Sequence, residues 1–136
     1  MESFTTQQAI QMRDLFLELA GAVVDYRIEL AKQGKLSPKE VQDLKDLANK
    51  LNNASNDFNG LVGLLTMENL SGALRRVSGA TGNMKEAIKR LQKTDKLIRL
   101  ATSALSLGGA FLSANPVEII SKVSGLVDAA SALSEA

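Results

Sequence analysis

The sequence predicts an all-α chain: an up-down-up-down four-helix bundle with coiled-coil-like packing and a short connector helix ahead of the third long helix. Three observations carry that expectation. Apolar residues recur at spacings of three and four along most of the 136 residues. No stretch alternates with period two between hairpin turns. Two boundaries, Ser37-Pro38-Lys39-Glu40 and Asn115-Pro116-Val117-Glu118, carry the residue types that open helices.

The first helix is expected over about 5–33. Thr5 with Gln8 has the spacing of a capping box. Met12, Phe16, Leu19, Val23, Tyr26 and Leu30 then form one apolar seam, and Gly34 can supply the left-handed residue that ends the helix. A second helix is expected over about 38–65, with Ser37 as cap, Pro38 in the first turn and Leu36 able to pack onto Val41. Its seam is Val41, Leu44, Ala48, Leu51, Ser55, Phe58, Val62 and Leu65. Asn52, Asn53, Asn56, Asn59, Gly60 and Gly63 weaken its second half, so fraying or a kink is expected near Asn59-Gly60.

From Met67 the seam runs through Leu70, Leu74, Val77, Met84, Ile88, Leu91, Ile98, Leu105 and Leu112. One helix over 67–113 would be about 70 Å long. Gly79 and Gly82, with Asn83 and Glu86 able to cap a new start, argue for a break. The expectation is therefore a short connector over 67–78 and a third long helix over 84–113. The fourth is expected over 116–134, capped by Asn115 and carrying Val117, Ile120, Val123, Val127, Ala130 and Leu133 as its seam.

Composition narrows the chemistry. The chain holds no His, Cys or Trp. Ser-His-Asp catalysis, thiolate chemistry and imidazole metal sites are thereby excluded. Carboxylates are the remaining acid or base candidates. Asp14, Glu18, Asp25 and Glu29 share one face of the first helix, and a solvated or salt-bridged face is the favoured reading over oxygen-only Mg or Ca binding. The expectation is a protein that is not an enzyme and takes no cofactor.

A formal net charge of +1 conceals an asymmetry: residues 1–74 carry 7 basic and 10 acidic groups, whereas 75–136 carry 9 and 5. Arg75, Arg76, Lys85, Lys89, Lys93, Lys96 and Arg99 are candidate contacts for an anion or anionic lipid. Lys85, Lys89, Lys93 and Lys96 are expected as one stripe on the third long helix, and pairing with the acidic face of the first is the structural alternative. The basic run has no interleaved aromatic residues, which points away from nucleic acid. Gly79 to Lys85 does not have phosphate-loop spacing and reads as a helix break.

Leu100 to Val117 is a run of 18 uncharged residues interrupted by Gly108-Gly109 and ended by Asn115-Pro116, a poor transmembrane helix. Ala104, Gly108, Gly109 and Ser113 have small-residue spacing and are candidate close helix-packing contacts. The expected function is association, with itself or with another helical protein. The alternative is a membrane-active module in which the basic residues of 75–99 bind anionic lipid and the 100–134 hairpin inserts. The opening residues Met1 to Thr6 lack the basic and apolar regions of a secretory signal, so the compartment expected is the cytoplasm.

Overall fold

The computed structural model describes residues 1–82, 84–91 and 93–134. The chain is all-α; its described residues form five helices of twelve or more residues, one of six and a single short strand pair: β1 (Glu2–Ser3), α1 (Thr6–Lys32), α2 (Pro38–Ser55), β2 (Thr66–Met67), α3 (Leu70–Thr81), α4 (Met84–Lys89), α5 (Asp95–Ser113) and α6 (Pro116–Ser134).

Local chemistry sets the long helices' starts. The Thr5 hydroxyl accepts the Gln8 amide while the Gln8 side chain accepts the Thr5 amide, and Ser37 and Glu40 make the same reciprocal pair ahead of α2. Asn115 Oδ1 accepts from the amides of Val117 and Glu118 at 3.0 and 3.3 Å, satisfying two free donors at the start of α6. All six residues of the expected α1 seam are buried. Gly34 takes φ +69° beyond the end of α1, a conformation that suits a residue without Cβ.

Three boundaries differ from expectation. The helix expected to reach 65 ends at Ser55, whose hydroxyl donates to the Asn52 carbonyl at 2.6 Å. The asparagines there compete locally with helical bonding. A single 3₁₀ turn, Phe58–Leu61, follows, and Gly63 at φ +77° redirects the chain. Residues 66–67 then join a two-stranded antiparallel pair, Glu2 opposite Met67 and Ser3 opposite Thr66.

The connector expected over 67–78 is instead a helix over Leu70–Thr81. It starts later because β2 occupies 66–67 and Asn69 adopts a left-handed conformation with no side-chain cap. Glu2 supplies the missing acceptor, taking the Ser71 amide at 3.2 Å and the Ser71 hydroxyl. Asn83, expected to cap the third long helix, lies outside the described residues.

The third correction has the widest effect. The helix expected over 84–113 is interrupted between Lys89 and Asp95. The interval Arg90-Leu91-Gln92-Lys93-Thr94 contains neither Gly nor Pro, so no local breaker announces it. Thr94 is buried, and its hydroxyl donates to Glu40 Oε2 at 3.2 Å, tying this connection to the start of α2. The interruption resets the helical phase. α5 buries Leu97, Leu100, Ala101, Ala104, Leu107 and Phe111, while Ile98 and Leu105 are half-buried and Leu112 is exposed. α6 likewise buries Ile119, Val123, Leu126, Ala130 and Leu133, leaving Val117 77% exposed and Ile120 exposed.

The core lies where α1 packs on α2, α2 on α5, α5 on α6, and α6 on α3 and α4. All four phenylalanines of the chain meet within it. Phe16 and Phe58 stand edge to face at 5.0 Å, Phe58 and Phe111 edge to face at 5.7 Å, and Phe4 is tilted against Phe111 at 5.7 Å. The aromatic row joins α1, the 3₁₀ turn, α5 and the N-terminal segment, and each ring is buried.

Candidate interaction surfaces

The basic residues do not form one stripe, because the break before α5 distributes them. Arg75 and Arg76 are exposed on α3, and Arg76 donates to Ser124 on α6 at 3.4 Å. Lys85 and Lys89 are exposed on α4, where Lys89 pairs with Glu86 at 3.6 Å. Both partners are largely solvated, so the pair contributes little stability. Lys93 lies in the connection between α4 and α5. Lys96 Nζ donates to the Ala132 carbonyl at 3.1 Å, placing a cation at the C-terminal end of α6, where the helix dipole favours it. Arg99 is exposed on α5.

Lys85 and Lys89 form one wall of a cleft of about 400 Å³ between α4 and the C-terminal half of α1. Asp25 and Glu29 belong to the same lining, over apolar Ala22, Leu30, Ile88 and Leu91. Acidic and basic side chains thus line one cleft of the same chain without pairing: among the described residues no ion pair joins these acids to these lysines. Glu29 instead accepts from Gln33 at 3.0 Å. Groups held apart in solvent do not make an acid-base constellation. Among the described residues no cluster of three metal-binding side chains occurs either.

Among the described residues, one buried side-chain polar atom lacks a partner. Tyr26 lines the cleft, is buried, and its hydroxyl makes no hydrogen bond. Burial pushes its pKa up to about 12, with the negative charges of Glu40 and Asp95 acting in the same direction. The folded state therefore holds this proton more tightly than the unfolded chain, whose tyrosine titrates near about 10. Its contribution to stability is complete below about pH 10 and is lost as pH rises toward the folded value. Tyr26 is the chain's single tyrosine and there is no Trp, so ultraviolet titration reads it directly. The expected native midpoint lies near 12, returning to about 10 in denaturant. Coincident midpoints would contradict the burial of this hydroxyl.

The candidate packing residues of α5 divide. Ala104 and Gly108 are buried, and a Cβ added at Gly108 would stand 3.3 Å from Phe16 Cε2 and 4.0 Å from Ala54 Cβ. Gly109 and Ser113 are exposed and are not packing contacts. No atom lies within 4 Å of a Cβ at Gly109, and the Ser113 hydroxyl donates to the Ala110 carbonyl and to Glu118. Gly108 thus faces Phe16 of α1 and Ala54 of α2, while α5 also packs along α6.

Among the described residues, apolar side chains are exposed at Leu64 and in two groups. Leu112, Val117 and Ile120 are exposed around the turn between α5 and α6, at the opposite end of α5 from Lys96 and Arg99. α1 is apolar on two opposite faces. Behind its core seam lie Leu17 and Ile28, each 43% exposed, with Ile10, half-buried Val24 and Gly21 in line with them. This second row was present in the sequence as residues spaced four, three and four from Leu17 to Ile28, but the stronger core seam concealed it.

Among the described residues no helix is long and apolar enough to cross a membrane. Comparison with protein families, curated proteins and solved structures returns no match to this chain.

Proposed function

We propose that this protein is a non-enzymatic helical bundle that acts by association through its surface. In this reading α1, α2, α5 and α6 are the four helices of an up-down-up-down bundle, with α3 and α4 packed beside them. The observation that carries the proposal is the second apolar row of α1. Single exposed apolar side chains need no explanation, but a helix already buried along one seam gains nothing within its own chain from a second row opposite it. The exposed carboxylates of α1, and the use of Glu40 in capping and in holding Thr94, support a role without catalysis.

Light scattering over a concentration series tests this reading. The expected result is a mass that rises above 14.5 kDa with concentration, reversibly on dilution. A constant monomer mass would remove self-association and leave only a different helical protein as partner.

The exposed turn at Leu112, Val117 and Ile120 favours a second reading, contact with an anionic membrane. It is the weaker one. Lys96 and Arg99 stand at the other end of α5, and insertion of the hairpin would require taking Leu107, Phe111, Val123 and Leu126 out of the core. Flotation with anionic and neutral vesicles discriminates: salt-sensitive recovery with anionic vesicles alone would favour the membrane over association.

A further inference from the structure

We infer that the cleft between α4 and the C-terminal half of α1 is a binding site for a small zwitterionic amphiphile, a molecule with an apolar body and one group of each charge. The inference stands apart from the association reading, since this cleft and the outer apolar row lie on different faces of α1.

Shape supplies the first observation. The cleft holds about 400 Å³, within the range that small-molecule sites occupy. Its apolar lining, Ala22, Leu30, Ile88 and Leu91, belongs to the buried core, and Tyr26 lies among these residues. Tyr26 supplies the second. It is 6% exposed and its hydroxyl is unbonded, a cost that phenylalanine would avoid in the same place. Packing alone therefore does not call for tyrosine. The hydroxyl is closed to water, so an occupant reaches it through the side-chain rotamer changes that binding commonly brings.

Charge selects the occupant. Asp25 and Glu29 line the cleft from α1, Lys85 and Lys89 from α4, and Lys35 follows the end of α1. Glu29 accepts from Gln33 and Lys89 pairs with Glu86, whereas among the described residues the side chains of Asp25, Lys35 and Lys85 have no ion pair. Both walls are solvated, so their charges act weakly until an apolar body displaces water between them. An occupant carrying a single charge then meets a like charge on one wall. One carrying both signs sets its cation against the acids and its anion against the lysines, and complementarity of this kind confers specificity.

Four probes with the same octyl chain test the assignment: octyl sulfobetaine, octyl sulfate, octyltrimethylammonium and octyl glucoside, each below its micelle-forming concentration. Isothermal titration calorimetry is expected to give one saturable site for the sulfobetaine, with a dissociation constant of roughly 100 µM for a molecule of this size, and about tenfold weaker binding of the other three. Tyr26 is the single tyrosine, so a parallel change in its fluorescence places the probe at this cleft.

Asp25→Asn with Glu29→Gln is expected to move the preference to octyl sulfate, and Lys85→Gln with Lys89→Gln to octyltrimethylammonium. All four positions are exposed, so the far-ultraviolet helix signal should not change. Tyr26→Phe is expected to raise the melting temperature of the protein alone and weaken sulfobetaine binding several-fold, opposite signs that a packing role cannot produce. Unchanged affinity in that variant would overturn the part given to the hydroxyl. Flotation with phosphatidylcholine vesicles is expected to leave the protein unbound, because the cleft takes one free molecule; recovery with the vesicles would overturn a free ligand in favour of a membrane. Absence of saturable sulfobetaine binding, equal binding of all four probes, or preferences unmoved by the charge variants would overturn the site. None of these outcomes bears on the concentration series that tests association.

Discussion

Replacing Phe58 with alanine is expected to cost roughly 3–5 kcal/mol of folding stability. Phe58 has Phe16 edge-on at 5.0 Å and Phe111 edge-on at 5.7 Å, and Phe4 reaches the group through Phe111. Truncation removes the ring's buried surface, leaves a cavity bounded by two aromatic rings and ends two edge-to-face contacts, each of order 1 kcal/mol where such pairs have been isolated. The surroundings can relax only partly. Phe16 belongs to α1 and Phe111 to α5, each anchored by its own buried seam, so neither ring can move into the space without displacing a helix. Total stability for a domain of this size is typically about 5–15 kcal/mol, and the variant should be partly unfolded at modest urea concentrations. Denaturation followed by far-ultraviolet circular dichroism measures the loss. A change below about 1 kcal/mol would show that Phe58 is not the centre of the aromatic row.

Gly108→Leu is expected to destabilise by about 1–3 kcal/mol or more, whereas Gly109→Ala one position later should stabilise by about 1 kcal/mol. Glycine stands at both positions, yet its replacement has opposite outcomes because a Cβ at 108 presses on Phe16 and one at 109 faces open space. The Cβ alone at Gly108 already presses on Phe16, with its Cε2 at 3.3 Å and Cζ at 3.5 Å, and leucine must place three further carbons in that space. At Gly109 an alanine methyl meets no atom within 4 Å, so only the gain in helix propensity remains. Thermal unfolding of the pair in parallel checks both signs. Equal effects at the two positions would contradict the close approach of α5 to Phe16.

These positions also show what could be read from the sequence. The small residues of the C-terminal third suggested close packing, and Gly108 is closely packed, but its neighbour is Phe16, 92 positions earlier, not a residue of α6. Capping pairs were legible because they involve residues three apart whose chemistry is local: Thr5 with Gln8 and Ser37 with Glu40 form as their spacing implies. The surface row of α1 was legible in principle at the same helical period, yet nothing in a one-dimensional pattern says which of two apolar faces is covered. The basic cluster was legible only as composition. The split between α3 and α4 falls at the glycines that announce it, but the division of the lysines among α4, the connection at Lys93 and the start of α5 followed from a break that carries no local signature.

The sequence alone determined that this chain is helical, where most long helices begin, which residues form the core seam of α1, and that His and Cys chemistry are excluded. Those properties depend on interactions within a turn or two of helix and on which side-chain types are present. Tertiary structure decided where α2 ends, that residues 66–67 pair with residues 2–3, and that the helix leading to Ser113 restarts at Asp95. Where α2 ends also reflects local bonds of Ser55 and the neighbouring asparagines, but the strand pair and the restart depend on contacts between distant residues: Phe4 with Leu65, Glu2 with Ser71, Thr94 with Glu40. The last has the greatest reach, because a helix interrupted by about five residues resumes at a new phase, and the face of α5 that meets the core changes with it.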